Sequence, residues 1–156
     1  MDRLFAGLYL DGGTDEENFV GQTLLVLEFD GDLKYREFKE KCEKYSLSYA
    51  FTYKTLGSCA NQKGFGAVFL MDRWIKNPAL AKAANILLRA FFSPVGAECL
   101  NLGGYFLGGK GIIEKKPYAK INIVELARNL EIYYWETKGR NNSKETKKTW
   151  KKERDM

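Results

Sequence analysis

The feature that most constrains the fold of this chain is an apolar run that begins at Gln22 and ends at Asp30. Its residues read QTLLVLEFD, with consecutive leucine and valine side chains in place of an apolar and polar alternation. A strand that is apolar on both faces belongs in the middle of a sheet, where neither face meets water. The run ends on Glu28 and Asp30, which lie on one face of an extended chain because side chains alternate. The sequence therefore predicts a central strand that presents two carboxylates on one side.

Strand and helix patterns on either side of this run indicate an α+β order. The predicted elements are a strand from Leu4 to Leu10, the strand from Gln22 to Asp30, a helix after Asp32, strands from Tyr49 to Lys54 and from Phe65 to Met71, a helix after Asn77, a short strand within Gly103 to Gly111, and a helix from Asn122 to near Gly139. From the second strand onward this is the split βαβ order of the ferredoxin-like fold, preceded by one extra strand.

Each predicted helix begins after a residue that suits an N-cap: Asp32, Asn77 ahead of Pro78, and Asn122. The side chains that recur at helical spacing predict the buried face of each helix. These are Leu33, Phe38, Cys42 and Tyr45 for the first helix, Leu80, Ala83, Ala84, Leu87, Leu88 and Phe91 for the second, and Ile123, Leu126, Ala127, Leu130 and Tyr134 for the third.

The composition indicates one folded domain with a basic tail. With 156 residues, 45% of them hydrophobic, the chain is large enough to bury a core. Its net charge of +5 lies in residues 138–156, which hold eight basic and three acidic residues, whereas residues 1–137 hold 17 of each. We therefore expect a single domain over residues 1–137. The tail is expected to be a solvated or helical extension, or an arm that binds nucleic acid through counterion release at phosphates.

Cysteine usage and hydropathy both favour a soluble protein of the cytoplasm. Cys42, Cys59 and Cys99 are odd in number and form no CxxC motif, so we expect reduced, mostly buried residues. No stretch approaches the roughly 18 consecutive apolar residues of a membrane span, and the N-terminus lacks a basic region followed by an apolar run. We therefore expect no membrane partner.

The paired carboxylates Glu28 and Asp30 are the first candidates for chemistry. Two acids on one side of a strand are what a two-metal nucleotidyl-transfer site needs. The ordinary alternative is one acid at a strand end and one in a turn. The chain contains no histidine.

Four segments together resemble a known family: Leu25 to Phe38, Tyr45 to Thr55, Phe65 to Met71 and Tyr105 to Gly111. In order and approximate spacing they look like the primase-polymerase domain of the archaeo-eukaryotic primase superfamily. The versions that match best are those carried by plasmids, phages and integrative elements of Gram-positive bacteria. The resemblance covers residues 22–130 approximately. It implies a ferredoxin-like antiparallel sheet, similar to that of RNA-recognition motifs, with helices on one face.

The resemblance also implies which positions would carry catalysis. The first family motif is an Asp-x-Asp that binds the metal ions bridging the nucleotide phosphates, and it falls on Glu28 and Asp30. The second is a Ser-His pair whose histidine contacts the triphosphate, and it falls on Gly57 and Ser58. An arginine at the start of the next strand falls on Gly66.

Two further family positions precede a glycine-rich segment. A second arginine falls on Gly104 and a third metal-binding acid on Gly96, or on Glu98 if the alignment slips by two residues. The segment itself, Gly108 to Gly111, could cradle a phosphate with Lys110 as a point charge, or form a tight hairpin turn.

The pattern of replacement indicates that the fold was kept after the active site was dismantled. By the resemblance, a histidine, two arginines and an aspartate have given way to serine and glycines, while the apolar strand residues stay readable. The alternative is that the family is wrong and that Gly57, Gly64, Gly103 and Gly104 are ordinary turn glycines beside strands.

We therefore expect a catalytically inactive binding protein of a mobile genetic element, with vestigial Glu28, Asp30 and Ser58 and no cofactor. It would bind nucleic acid or a nucleoprotein complex, as a replication accessory or as an inhibitor of a host replication or defence machine. The alternative is a residual nucleotidyltransferase that uses Mg or Mn at Glu28, Asp30 and perhaps Glu98. The candidate nucleic-acid contacts are Lys54, Lys63, Lys110, Lys147, Lys148, Lys151 and Lys152.

Overall fold

The structure is a computed structural model that describes residues 3–5, 7–9, 16–29, 33–55, 64–92, 97–98, 105–107, 109–133 and 135–137. For residues 3–5, 7–9, 16, 97–98 and 105–107 it describes the backbone alone. Several predicted features lie outside these residues: the side chain of Glu98, and Asp30, Gly57, Ser58, Cys59, Lys63, Gly96, Cys99, Gly103, Gly104, Gly108, Tyr134 and the basic tail with Lys147, Lys148, Lys151 and Lys152.

Eight strands and three helices form the described part of the chain. The strands are β1 (Arg3–Phe5), β2 (Gly7–Tyr9), β3 (Phe19–Phe29), β4 (Phe51–Thr55), β5 (Phe65–Ile75), β6 (Ala97–Glu98), β7 (Tyr105–Leu107) and β8 (Gly109–Lys115). The helices are α1 (Tyr35–Lys44), α2 (Pro78–Phe92) and α3 (residues 123–133). A short 3-10 turn lies at Glu16–Asn18, and residues 135–137 are also helical.

The main sheet has the predicted antiparallel, ferredoxin-like arrangement. Its strands run in the order β2-β3-β5-β4-β8. Strand β6 also pairs with β3, on the same side of β3 as β2. All of these pairs are antiparallel. The unit β3-α1-β4-β5-α2-β6 therefore places its first and third strands in the middle. The prediction that the apolar run forms a central strand is confirmed.

The edges of the sheet differ from the prediction. The fourth strand of the unit is β6, whereas the predicted strand within Gly103 to Gly111 divides into β7, which pairs with β1, and β8, which pairs with β4. The predicted first strand also divides, because β1 pairs with β7 and β2 pairs with β3. Short strands such as these have too little periodicity to fix a partner, so distant pairing decides where each one ends.

One face of the sheet carries the helices and the core. The buried residues of this cluster include Leu25, Leu27 and Phe29 of β3, Phe65, Ala67 and Phe69 of β5, Phe38 and Cys42 of α1, Leu88, Phe91 and Phe92 of α2, and Leu126 and Leu130 of α3. The ring of Phe38 lies at its centre, 5.6 Å from Phe29 and 5.4 Å from Phe92 between centroids. The predicted burial of Cys42 is confirmed.

The first helix begins later than predicted. Asp32 is not its N-cap, because the cap residue is Lys34, which has an extended backbone and makes no side-chain capping bond. Leu33 and Phe38 are both buried in the core, at the two positions of a hydrophobic staple. Burial of Leu33 against the core therefore fixes where the chain enters the helix.

The predicted caps of the other two helices are confirmed. Asn77 Oδ1 accepts a hydrogen bond of 2.9 Å from the backbone N–H of Ala79, and Asn122 Oδ1 accepts one of 2.8 Å from Val124. Asparagine at this position satisfies donors that the first turn leaves without partners.

The buried face of α2 is rotated from the predicted one. Leu80, Ala83 and Leu87, predicted to be buried, are exposed, and Ala127 of α3 is exposed as well. Ala81, Ala84, Asn85, Leu88, Phe91 and Phe92 form the buried face of α2. Since α2 is apolar on nearly every side, its periodicity cannot fix its rotation.

Among the described residues, no helix is long and apolar enough to span a bilayer.

Candidate functional site

The candidate site lies on the second face of the sheet, opposite the helices. Tyr53 is the register partner of Gly66, and Gly66 is the register partner of Glu28. Register partners lie side by side on one face of a sheet. These three residues therefore form a row across β4, β5 and β3, at the end of the sheet where β3 finishes.

Tyr53 links the two ends of this row. Its hydroxyl donates a hydrogen bond of 2.8 Å to Glu28 Oε1, and its ring passes over Gly66. A Cβ at residue 66 would overlap the ring, at 2.5 Å from Tyr53 Oη. A Cβ at Gly109 of β8 would also overlap, at 2.5 Å from Tyr53 Cδ2. Glycines on both neighbouring strands thus make room for one tyrosine.

The environment keeps the Tyr53 hydroxyl protonated. The side chain is buried, with 6% of its surface exposed. Burial raises the pKa of Tyr53 well above its usual range, and the negative charge of Glu28 and the hydrogen bond to it raise the pKa further. Tyr53 is therefore a permanent donor to Glu28 at neutral pH.

A third acid lies opposite Glu28 in the backbone register. Glu98 of β6 pairs with Glu28, although the sequence comparison placed the third acid of the family on Gly96 unless the alignment slipped by two residues. Strand β6 therefore places Glu98, a residue with a carboxylate, next to Glu28.

The sequence predicts a metal site made of carboxylates. Carboxylates at Glu28, Asp30 and Glu98 would be suitable oxygen ligands for Mg²⁺ or Mn²⁺. Glu28 Oε1 accepts the hydrogen bond from Tyr53. Among the side chains that the structure describes, no group of three or more His, Cys, Asp or Glu residues could hold a metal ion. Asp30 and the side chain of Glu98 lie outside that set.

Two of the predicted lysines, Lys54 and Lys110, lie in the described part of the chain. Lys54 pairs with Phe65, whose side chain is buried in the core on the helix face. It therefore lies on the face opposite Tyr53 and Glu28. Lys110 lies in β8 between Gly109 and Gly111, which pair with Thr55 and Lys54. The structure brings Lys54 and Lys110 together on adjacent strands.

The glycine-rich segment is a strand where it is described. Residues 109–111 belong to β8 and pair with β4, so they form neither a hairpin turn nor a phosphate-cradling turn. Gly109 is explained by its close approach to the carbonyl oxygen of Lys54 and to Tyr53. Gly111 has a φ of +153°, which an L side chain rarely adopts.

The roles of two side chains were not predicted from the sequence. One is Tyr53, which lies on the same face as Glu28 with Gly66 between them. The other is Glu114, whose Oε2 accepts hydrogen bonds from Tyr35 at 2.9 Å and Tyr49 at 3.0 Å and lies 3.1 Å from Lys39 Nζ. Burial alone would raise the pKa of Glu114, but the bonds from Lys39 and the two tyrosines outweigh it and lower the pKa.

Comparison of this chain with protein-family models, curated proteins and solved structures gave no match.

Proposed function

We propose that this protein is a primase-polymerase-like binding protein without catalytic activity. It acts by binding nucleic acid or a nucleoprotein complex of a mobile genetic element, as an accessory to replication or as an inhibitor of a host machine. The proposal joins the motif resemblance to the local geometry around Glu28.

One observation carries the proposal: the ring of Tyr53 occupies the space above Gly66 and its hydroxyl binds Glu28. The resemblance implies a triphosphate-binding arginine at residue 66, and a side chain there would collide with Tyr53. Phosphoryl transfer depends on cationic donors preorganised around the phosphates, and removal of one such donor costs on the order of a hundredfold or more in rate. A buried tyrosine in the place of that arginine supports the proposal that catalysis was lost while the fold was kept.

A second candidate is residual metal-dependent nucleotidyl transfer. The pairing of Glu98 with Glu28 favours it, because this pairing supplies the position of a third carboxylate next to the first. Three acids around one strand end would suit two divalent ions.

Primer synthesis and extension separate the two candidates. The assay uses single-stranded templates and labelled nucleotides with Mg²⁺ or Mn²⁺. We expect no product from the unmodified protein. Product that Asp30→Ala or Glu28→Ala abolishes, with folding preserved, would establish the enzyme and refute the proposal.

Nucleic-acid binding is tested separately by fluorescence anisotropy over a salt series. Substitution of both Lys54 and Lys110 by alanine should weaken binding and reduce the salt slope. The matched control is Lys76→Ala/Lys82→Ala, which removes two lysines at the far end of β5 and in α2. Equal losses in both double variants would indicate a general charge effect and not a site.

A further inference from the structure

The second face of the sheet has a patch of two apolar side chains and one lysine at its β4–β8 edge, which we call the edge patch: Phe51, Ile112 and Lys115. Ile112 is 52% exposed, Phe51 is partly exposed and Lys115 is exposed. Within the described strands, β8 is the last of the sheet, so the patch lies at an open edge.

Strand register places the three side chains together. Phe51 pairs with Lys115, and Tyr53 pairs with Ile112, with a shift in register between these two pairs. The shift sends Glu114 to the other face, where it pairs with Thr52 and binds Tyr35. The acid of β8 is therefore turned away from the edge patch, and the lysine remains on it.

The edge patch lies beside a buried centre on this face. In the middle, Val26 and Val68 are 1% and 0% exposed and Tyr53 is also buried, so a base could not stack there. Phe51 packs against this buried cluster, with its ring centroid 6.3 Å from that of Tyr53 at an angle of 44°. Its ring is thus held in place on one side and partly exposed on the other.

We infer that the edge patch binds single-stranded nucleic acid, an inference that rests on the nucleic-acid part of the proposed function. An unpaired base stacks on Phe51, Ile112 packs against that base or its sugar, and Lys115 contacts the adjoining phosphate. Single strands are required because bases within a duplex do not offer their faces to a protein side chain.

Charge favours nucleic acid over a protein partner on this edge. Strand β8 holds two lysines, Lys110 and Lys115, and one acid, Glu114. That acid is already bound by Lys39 and two tyrosines. Lys116 lies over the Tyr49 ring, 4.1 Å from its centroid, on the side of Glu114. The edge therefore offers positive charge and apolar surface together, which is the combination that single-strand binding sites use.

The test is anisotropy with a labelled single-stranded 20-mer and the matching duplex, using the full chain. Phe51→Leu keeps an apolar side chain but removes the aromatic ring, and it should weaken single-strand binding by roughly tenfold, with little effect on the salt slope. Phe51→Tyr should bind like the unmodified protein. Lys115→Gln should lower the salt slope by about one. The matched aromatic control is Trp135→Leu, at a residue that is 60% exposed in the helical turn 135–137.

The outcomes separate this inference from the proposed function. If the protein binds single strands and Phe51→Leu binds as tightly, the edge patch is not the site and the proposed function stands. If the unmodified protein binds no nucleic acid at low salt, the nucleic-acid part of the proposed function fails. If Ile112→Lys abolishes a self-association seen by sedimentation while single-strand binding persists, the patch is an interface between copies and the inference is overturned.

Discussion

Tyr53 Oη donates a 2.8 Å hydrogen bond to Glu28 Oε1 across Gly66, joining two strands that do not neighbour each other. This bond is possible because residue 66 has no side chain. The glycine, the tyrosine and the acid therefore act as one structural unit on the second face. The unit explains why residue 66 is a glycine, and the Tyr53 ring occupies the space that the resemblance assigns to an arginine.

The first prediction is that Gly66→Ala destabilises the fold through Tyr53. The added methyl group would overlap the ring, and overpacking of this kind costs about 1–3 kcal/mol. Urea denaturation should show this loss in the free energy of unfolding. In the background of Tyr53→Ala the same substitution should cost much less, since the ring is gone. An equal cost in both backgrounds would mean that the strain comes from elsewhere.

The second prediction concerns alkaline pH. The pKa of Tyr53 is raised above its ordinary value of 10.0, so the folded state holds the phenolic proton more tightly than the unfolded chain. The stabilisation from this difference is fully present below about pH 10 and is lost as pH rises further. Thermal melts between pH 8 and 11 should show a falling midpoint. Tyr53→Phe should flatten the fall, and a slope unchanged by this substitution would contradict the assignment.

The third prediction concerns acid. The pKa of Glu114 is lowered by Lys39, Tyr35 and Tyr49, so the unfolded chain binds the proton more tightly than the fold. Its contribution is present above the unfolded pKa of about 4.5 and is lost as pH falls through the lower folded value. Glu114→Gln should reduce the dependence of the melting midpoint on pH between 3 and 6. Glu125→Gln, on the exposed side of α3, serves as the control and should leave it unchanged.

The fourth prediction concerns a polar pair in the core. Asn85 Nδ2 donates to Gln22 Oε1 at 3.3 Å and to the Ala81 carbonyl at 2.8 Å, and both side chains are buried. Asn85→Leu should cost about 1–3 kcal/mol, because it leaves a buried amide of Gln22 without this partner. The double substitution Asn85→Leu/Gln22→Met should cost less than the sum of the two single ones. A purely additive result in denaturant melts would show that the pair is not coupled.

Local sequence determined the elements whose causes are local. The apolar run from Leu24 to Leu27 fits only a strand in the interior of a sheet. β3 has this position, with β5 on one side of it and β2 and β6 on the other. Asn77 and Asn122 cap their helices because the cap bond closes within three residues. The family resemblance also predicted candidate site residues at the strand end that carries Glu28. That region was predictable because alternation and capping involve neighbours along the chain.

Tertiary structure decided what depended on distant partners. Whether β8 pairs with β4, which side of α2 faces the sheet, and whether Glu98 meets Glu28 all follow from contacts between residues far apart in sequence. The position of Tyr53 on the face of Glu28, and its bond across Gly66, required the registers of β3, β4 and β5 together. A one-residue slip in either register would move the tyrosine to the other face, and no local propensity forbids such a slip. The packing of the whole core selects the register, and the register builds the site.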